Sequence, residues 1–229
     1  MYKNIKLLNS KEDVNLKVSA IKAFKYAEKI KQVIITVDEF FKAAKSQPIL
    51  FTKNESGEYF ASTLLGLEQK NDFVNSKGEW EKSEYIPAYI RRYPFIFIQE
   101  KETLALAYDS DCKEINEEKG QSFFNEDGTS SEYVTNVIKF MESFQKSSIV
   151  TSAFVKELDE LGILEDTDAN IQVKGKKLAF TGFKRVNEEK LNSLNDEQIM
   201  KLIKNGSYKL IVAHLMSMSN FEKLISLQK

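Results

Sequence analysis

Apolar positions along the chain fall into two regimes. From Ile49 to Tyr108 they come in short runs broken by turn residues, as in β-strands; from Tyr133 onward many recur at every third or fourth position, as in helices. Ile49-Leu50-Phe51-Thr52 and Tyr59 to Leu67 flank Asn54-Glu55-Ser56-Gly57, which predicts a hairpin. Phe95 to Ile98 and Leu104 to Tyr108 predict another around Lys101-Glu102, and Asp72-Phe73-Val74 runs into a turn at Ser76-Lys77-Gly78. Alternation in these strands is imperfect, so part of the sheet is expected to be covered on both faces. Ahead of them, Val33-Ile34-Ile35 predicts a short strand. Thr36 and Glu39 stand at capping-box spacing before a helix over about Val37 to Ser46, with Phe40, Phe41 and Ala44 on one side and Pro48 as its stop. Asn15 to Lys31 mixes both patterns.

Residues 109–130 are polar and predict a loop. Tyr133, Val134, Val137, Ile138, Met141 and Phe144 then mark one helix, and Phe154, Leu158 and Leu161 mark a second that stops at Gly162. Ile171 to Phe183 predicts a hairpin turning at Lys174-Gly175-Lys176. Three helix starts follow: Asn187 before Glu188 and Glu189, Asn195 with Gln198 inside a Leu194–Ile199 staple, and Ser219 with Glu222. Gly206 is a stop, and Leu210 to Met218 is read as helix. The fold class is therefore α+β, with a mixed or antiparallel sheet of hairpins in the first half and helices mainly in the second. With no repeat or linker, residues 1–229 are read as one domain, divisible at most into a β-rich lobe 1–130 and a helix-rich lobe 131–229.

Charge narrows the possible partners. The 33 basic and 34 acidic side chains leave a net charge of −1, which gives no overall attraction to nucleic acid or an anionic membrane. There is no apolar run long enough to span a bilayer, and the alternating N-terminus does not read as a secretory signal. Cys112 has no second cysteine to pair with, consistent with a reducing compartment, and is read as a spectator thiol. A cytoplasmic location is expected.

The chemistry of sites narrows it further. One histidine, His214, and one cysteine make a metal centre an unpromising reading, and no phosphate-cradling glycine motif or nucleophile elbow is present, so no cofactor is expected. His214 and Ser217, three residues apart on a helix, are the remaining catalytic candidates; the alternative is a histidine packed and hydrogen-bonded in an apolar segment.

One stretch gathers unusual residues. Between Gly78 and Phe95 lie the only tryptophan, Trp80, with Tyr85, Tyr89 and Tyr93, two of three prolines and two of three arginines, Arg91 and Arg92, in a chain that otherwise uses lysine. Trp, Tyr and Arg dominate binding hot spots, and adjacent arginines suggest a place where the planar guanidinium matters. Trp80, Tyr85, Arg91, Arg92, Tyr93 and Phe95 are therefore the candidate binding residues. The opposing reading is that the arginines tie loops together and the rings fill a core.

Tyr85-Ile86-Pro87-Ala88, running into Arg91-Arg92-Tyr93-Pro94-Phe95, resembles the signature of the SapC family of bacterial proteins. The resemblance extends to Glu39-Phe40 through Pro48-Ile49, Leu64-Leu65-Gly66-Leu67, Gly78-x-Trp80, Thr181-Gly182-Phe183-x-x-Val186 and Ala213-His214-Leu215-x-Ser217-x-x-Asn220. It implies association with a bacterial surface-layer system and does not imply an enzyme; with arginines and rings but no complete catalytic set, the leading expectation is a non-enzymatic accessory or interaction protein with a protein partner. The rival expectation is an enzyme or small-molecule binder, in which Arg91 or Arg92 holds an anionic group and His214 acts as acid or base. A third treats the motifs as determinants of fold alone, with function on variable loops such as 109–130.

Overall fold

A computed structural model describes residues 1–100, 102–173 and 176–228. In chain order it contains β1 (Ile5–Leu7), β2 (Lys17–Val18), a 3-10 turn (Lys25–Ala27), β3 (Gln32–Ile34) and a second 3-10 turn (Val37–Glu39) that continues into α1 (Phe40–Ala43). Then come β4 (Ile49–Lys53), β5 (Tyr59–Leu64), α2 (Ala88–Arg91), β6 (Phe95–Glu100), β7 (Thr103–Asp109), β8 (Ile115–Asn116), β9 (Gln121–Ser122) and α3 (Glu132–Glu160). The hairpin β10 (Leu164–Val173) and β11 (Lys176–Val186) precedes α4 (Glu188–Asn192), α5 (Asp196–Lys204), α6 (Ser207–Ser217) and α7 (Asn220–Ser226). The class is α+β as expected, and every strand pairing is antiparallel.

The central sheet has the order β10-β11-β4-β5-β3. Ile49 and Phe51 of β4 enter a core with Phe40, Phe154, Leu158, Leu202 and Ile211, while Leu50 between them enters a core with Leu65, Phe73, Ile90, Phe183 and Leu224. Successive side chains of a strand point to opposite faces, so a continuous apolar run buries both. This is the cause of the imperfect alternation. A second sheet, β1-β7-β6, and the short triplet β8-β2-β9 enclose a third core around Phe95, Tyr108, Phe123 and Val134.

Both first-half hairpins form, around Asn54–Gly57 and between Glu100 and Thr103; Lys101 lies outside the described residues. The 164–186 hairpin starts earlier than expected and already holds Lys176 in its ladder opposite Val173; Lys174 and Gly175 lie outside the described residues. Only Phe183 and Lys184 of β11 pair with β4, so β11 leaves the sheet after two residues.

Four expectations are corrected. The two helices expected between Tyr133 and Leu161 are one, α3, of 29 residues. Its polar middle is held against the fold, where Ser147 and Thr151 are buried and Thr151 accepts Val37 N–H at 2.9 Å, while the Ser148, Thr151 and Ser152 hydroxyls find acceptors in carbonyls four residues back. The helix of Val37 to Ser46 is shorter, and Phe41 faces solvent, turned about 100° from buried Phe40 by the helical repeat. The 109–130 loop contains β8 and β9 and drives Phe123 and Phe124 into the third core. Ser219 precedes α7 but does not cap it: its backbone is already helical, and its hydroxyl donates to the Met216 carbonyl. Caps at Asn187 and Asn195 form as their sequence signals require. No described helix is long and apolar enough to cross a membrane.

Gly66 follows β5, where the loop folds back so that Asp72 N–H reaches the Leu65 carbonyl. A Cβ built there would lie 1.9 Å from the Lys70 carbonyl oxygen, and backbone cannot step aside as a flexible side chain would. Gly66→Ala should therefore lower stability by about 2 kcal/mol or more, as core overpacking does, while the same change at Gly128, where a Cβ meets nothing, should carry only the cost of its positive φ. Chemical denaturation of the two variants checks the contrast.

Candidate functional site

The Gly78–Phe95 segment begins as packing. Trp80 bridges to Val74, stacks on Phe73 at 5.7 Å and meets the edge of Phe24 at 5.6 Å, beside the second core. Phe95 packs on Phe123 and Tyr133 in the third.

Tyr85 is drawn inward by Glu39. This buried carboxylate accepts at one oxygen from the Tyr85 hydroxyl at 2.8 Å and Ala88 N–H at 2.7 Å, and at the other from Thr36 N–H and hydroxyl at 3.0 and 2.9 Å. Burial first, and then the Glu39 charge, raises the Tyr85 hydroxyl above its ordinary range, so it stays a neutral donor. The side chain read as half of a capping box thus also anchors the first turn of α2, 49 residues away.

That anchoring sets the two arginines. Arg91 donates Nε–H to the Ile86 carbonyl at 3.0 Å and reaches the Tyr85 oxygen at 3.3 Å, with its guanidinium 5.3 Å from the Phe140 ring of α3. The Arg92 guanidinium lies 3.9 Å from the Tyr89 ring centre, with Tyr2 and Phe144 each at 5.8 Å. Arg92 Nε–H is out of contact with water and has no acceptor among the described residues. Arg91 is exposed; Tyr2, Tyr89, Arg92, Phe140 and Phe144 are half-buried. The result is one surface of two cations held against aromatic faces.

Tyr93 turns the other way. It stacks on Tyr26 at 4.0 Å and donates to Asp109, a fully buried carboxylate that also accepts the N–H groups of Lys3, Asn4 and Asp111. Burial raises the Tyr93 hydroxyl, and it raises the neighbouring Cys112 thiol to about 11, leaving that sulfur protonated and unreactive near neutrality.

His214 and Ser217 are far from chemistry. His214 is fully buried; Nδ1 bonds the Ile49 carbonyl at 2.9 Å, and Nε2 accepts Val186 N–H at 3.0 Å, which fixes the Nδ1–H tautomer. Ser217 accepts Ile49 N–H at 2.9 Å and donates to the His214 carbonyl at 2.6 Å. Imidazole and hydroxyl both serve the backbone. Neither touches solvent, and so neither can pass a proton to a bound molecule.

Sequence reasoning did not single out Tyr2 or Phe140, and it read Glu39 and Phe144 only as a helix cap and a helix stripe, not as parts of this site. Phe140 and Phe144 carried a signal, an aromatic pair at i, i+4 on the expected helix; the partners of Glu39 and Tyr2 are set by long-range folding and had none.

Burial holds the His214 pKa down to about 4 from its ordinary 6.5. The unfolded chain therefore binds a proton that the folded chain refuses, and stability falls as pH drops from 6.5 towards 4. The loss attributable to His214 reaches about 3 kcal/mol at the acid end. His214→Gln should be less stable at neutral pH but should lose less further stability across that window. Urea denaturation near neutrality and in mild acid reads both; an unchanged pH slope in the variant would sink the assignment.

No curated protein and no solved structure matches the chain. The SapC family model matches residues 8–224, a span that includes the Glu39 junction, both arginines and the His214 contacts. The chain belongs to the SapC family.

Proposed function

We propose that this SapC-family chain is a non-enzymatic accessory protein of a bacterial surface-layer system, working in the cytoplasm and binding a protein partner through the Arg91–Arg92 face. The observation that carries this is the stack of Arg92 on Tyr89 at 3.9 Å, set between Tyr2 and Phe144 on a half-exposed surface. A stacked guanidinium offers its N–H edge to a carboxylate or carbonyl while its face stays on the ring. Its rotamer is fixed before the partner arrives, which lowers the ordering cost of binding. Arg91 over Phe140 extends the same surface. Arg and Tyr at the centre of a contact carry a disproportionate share of its energy. The only histidine is buried and committed to backbone groups, which weighs against His214 acting as acid or base beside Arg91 or Arg92.

The discriminating variant is Arg91→Lys with Arg92→Lys, which keeps both charges and loses both planar stacks. With the purified surface-layer protein of the source bacterium as immobilised bait, affinity should fall at least about tenfold, a typical loss for central arginines. The circular dichroism spectrum should stay that of the parent. A folded double variant that holds the bait as tightly as the parent would remove the site.

A further inference from the structure

The Tyr26–Tyr93 stack lines a cleft of about 800 Å³. Both hydroxyls are spent inward, Tyr26 on the Ile90 carbonyl and Tyr93 on Asp109, so the rings offer carbon to the cleft, alongside Ala23 and Ile30. Around this wall stand Lys3, Lys25, Lys29, Lys77 and Lys113. They come from separate parts of the chain, brought together by well-defined contacts. Lys3 N–H is fixed by Asp109; the Lys25 stem is pressed against Gly78, where a Cβ would lie 2.6 Å from its Cγ; and the Phe24 N–H bonds the Gly78 carbonyl.

Glu28, Asp111 and Glu114 share the cleft, yet none of its five ammonium groups forms an ion pair among the described residues. Glu114 is engaged by the Cys112 thiol instead. Elsewhere Lys6, Lys70, Lys156, Lys201 and Lys223 do find carboxylates. Five unpaired cations against three acids in a concave wall concentrate positive potential in a chain whose net charge is −1.

We propose that this cleft binds a small molecule carrying two or more adjacent phosphates. Converging lysines are point charges without the fork of arginine, suited to compact, closely spaced anionic oxygens rather than to one planar carboxylate. The volume suits a ligand of nucleotide size, and the tyrosine wall provides an apolar surface for a ring. The phosphate chain could belong to a nucleotide or be inorganic. The cleft adjoins the arginine face through Tyr2, whose ring lies 5.6 Å from that of Tyr93 and 5.8 Å from the Arg92 guanidinium, but the proposal does not rest on the function of that face.

Isothermal titration of the full-length chain with inorganic tripolyphosphate and with ATP, at low salt, tests the proposal. Both should bind, more weakly as salt rises, and orthophosphate should bind more weakly than either. Lys77→Glu with Lys113→Glu, both exposed positions, should weaken binding at least about tenfold, equivalent to about 1.4 kcal/mol. The neutral pair Lys25→Met with Lys29→Met should weaken it too, and Lys139→Met, an exposed lysine of α3 outside the cleft, should leave it unchanged. ATP binding tighter than tripolyphosphate would assign the ring to the tyrosine wall; equal affinity would assign recognition to the phosphates alone. No binding to the parent chain, orthophosphate binding as tightly as tripolyphosphate, or full binding by the charge-reversed variant would overturn the proposal.

Discussion

The fold depends on what happens where β11 parts from β4. The two strands share only Phe183–Thr52 and Lys184–Phe51, so at Ile49 the outward N–H and C=O of β4 have lost their neighbouring strand. Both are buried, and an unpaired buried backbone group costs about 1–3 kcal/mol. Helix α6 takes the place of the missing ladder: Ser217 accepts the Ile49 N–H, and His214 bonds its carbonyl. With its other nitrogen His214 accepts Val186 N–H from the departing strand. Six residues past His214, at the start of α7, Asn220 donates to the carbonyls of Ala44 and Gln47, closing the segment that leads into β4. A neutral imidazole is suited to the wedge position because its two ring nitrogens, on opposite sides of a rigid plane, donate on one side and accept on the other. Burial, by resisting protonation, protects the arrangement near neutral pH.

Buried carboxylates solve the same problem elsewhere. Glu39 collects the start of the Val37 turn and the start of α2, Asp109 collects the N–H groups of Lys3 and Asn4, and Asp13 joins Tyr108 to Asn9 N–H. In each case an acid meets backbone donors, the pairing that makes burying a carboxylate tolerable. Much of the sequence pattern shared with the family is consumed in this way. Glu39, Tyr85, His214, Ser217 and Asn220 each satisfy another part of the chain, which is why a motif-rich sequence contains so little free chemistry.

This division also explains what could be read from the chain and what could not. The Asn54–Gly57 hairpin and the caps at Asn187 and Asn195 depend on neighbours a few residues away, and local spacing carries them. The two-sided burial of β4 was visible as broken alternation. The continuity of α3 was not, because serine and threonine weaken a helical pattern, and the contact that holds the middle of the helix, Val37 N–H on Thr151, spans 114 residues. His214 meets Ile49 across 165 residues and Tyr85 meets Glu39 across 46, distances over which periodicity is silent. The Gly78–Phe95 segment was recognisable by its composition, yet only the tertiary structure separates Phe95, which it buries, from half-buried Trp80 and Arg92 and exposed Arg91.

The use of cations follows from geometry as much as charge. All three arginines sit where a planar fork is required: Arg91 and Arg92 against rings, and Arg185 donating to Glu165 across the β10–β11 ladder at 2.8 Å. A lysine in those places would keep the charge and lose the stacking or the directed N–H. The lysines of the Tyr26 cleft are the converse, exposed ammonium groups on flexible stems. The two surfaces should therefore differ in kind. Contacts to a stacked arginine are directional, partly shielded from water and only weakly sensitive to ionic strength, whereas attraction to a ring of exposed lysines is long-ranged and readily screened. A chain that uses thirty lysines and three arginines has kept its few forks for shape and left the diffuse work of attracting anions to lysine.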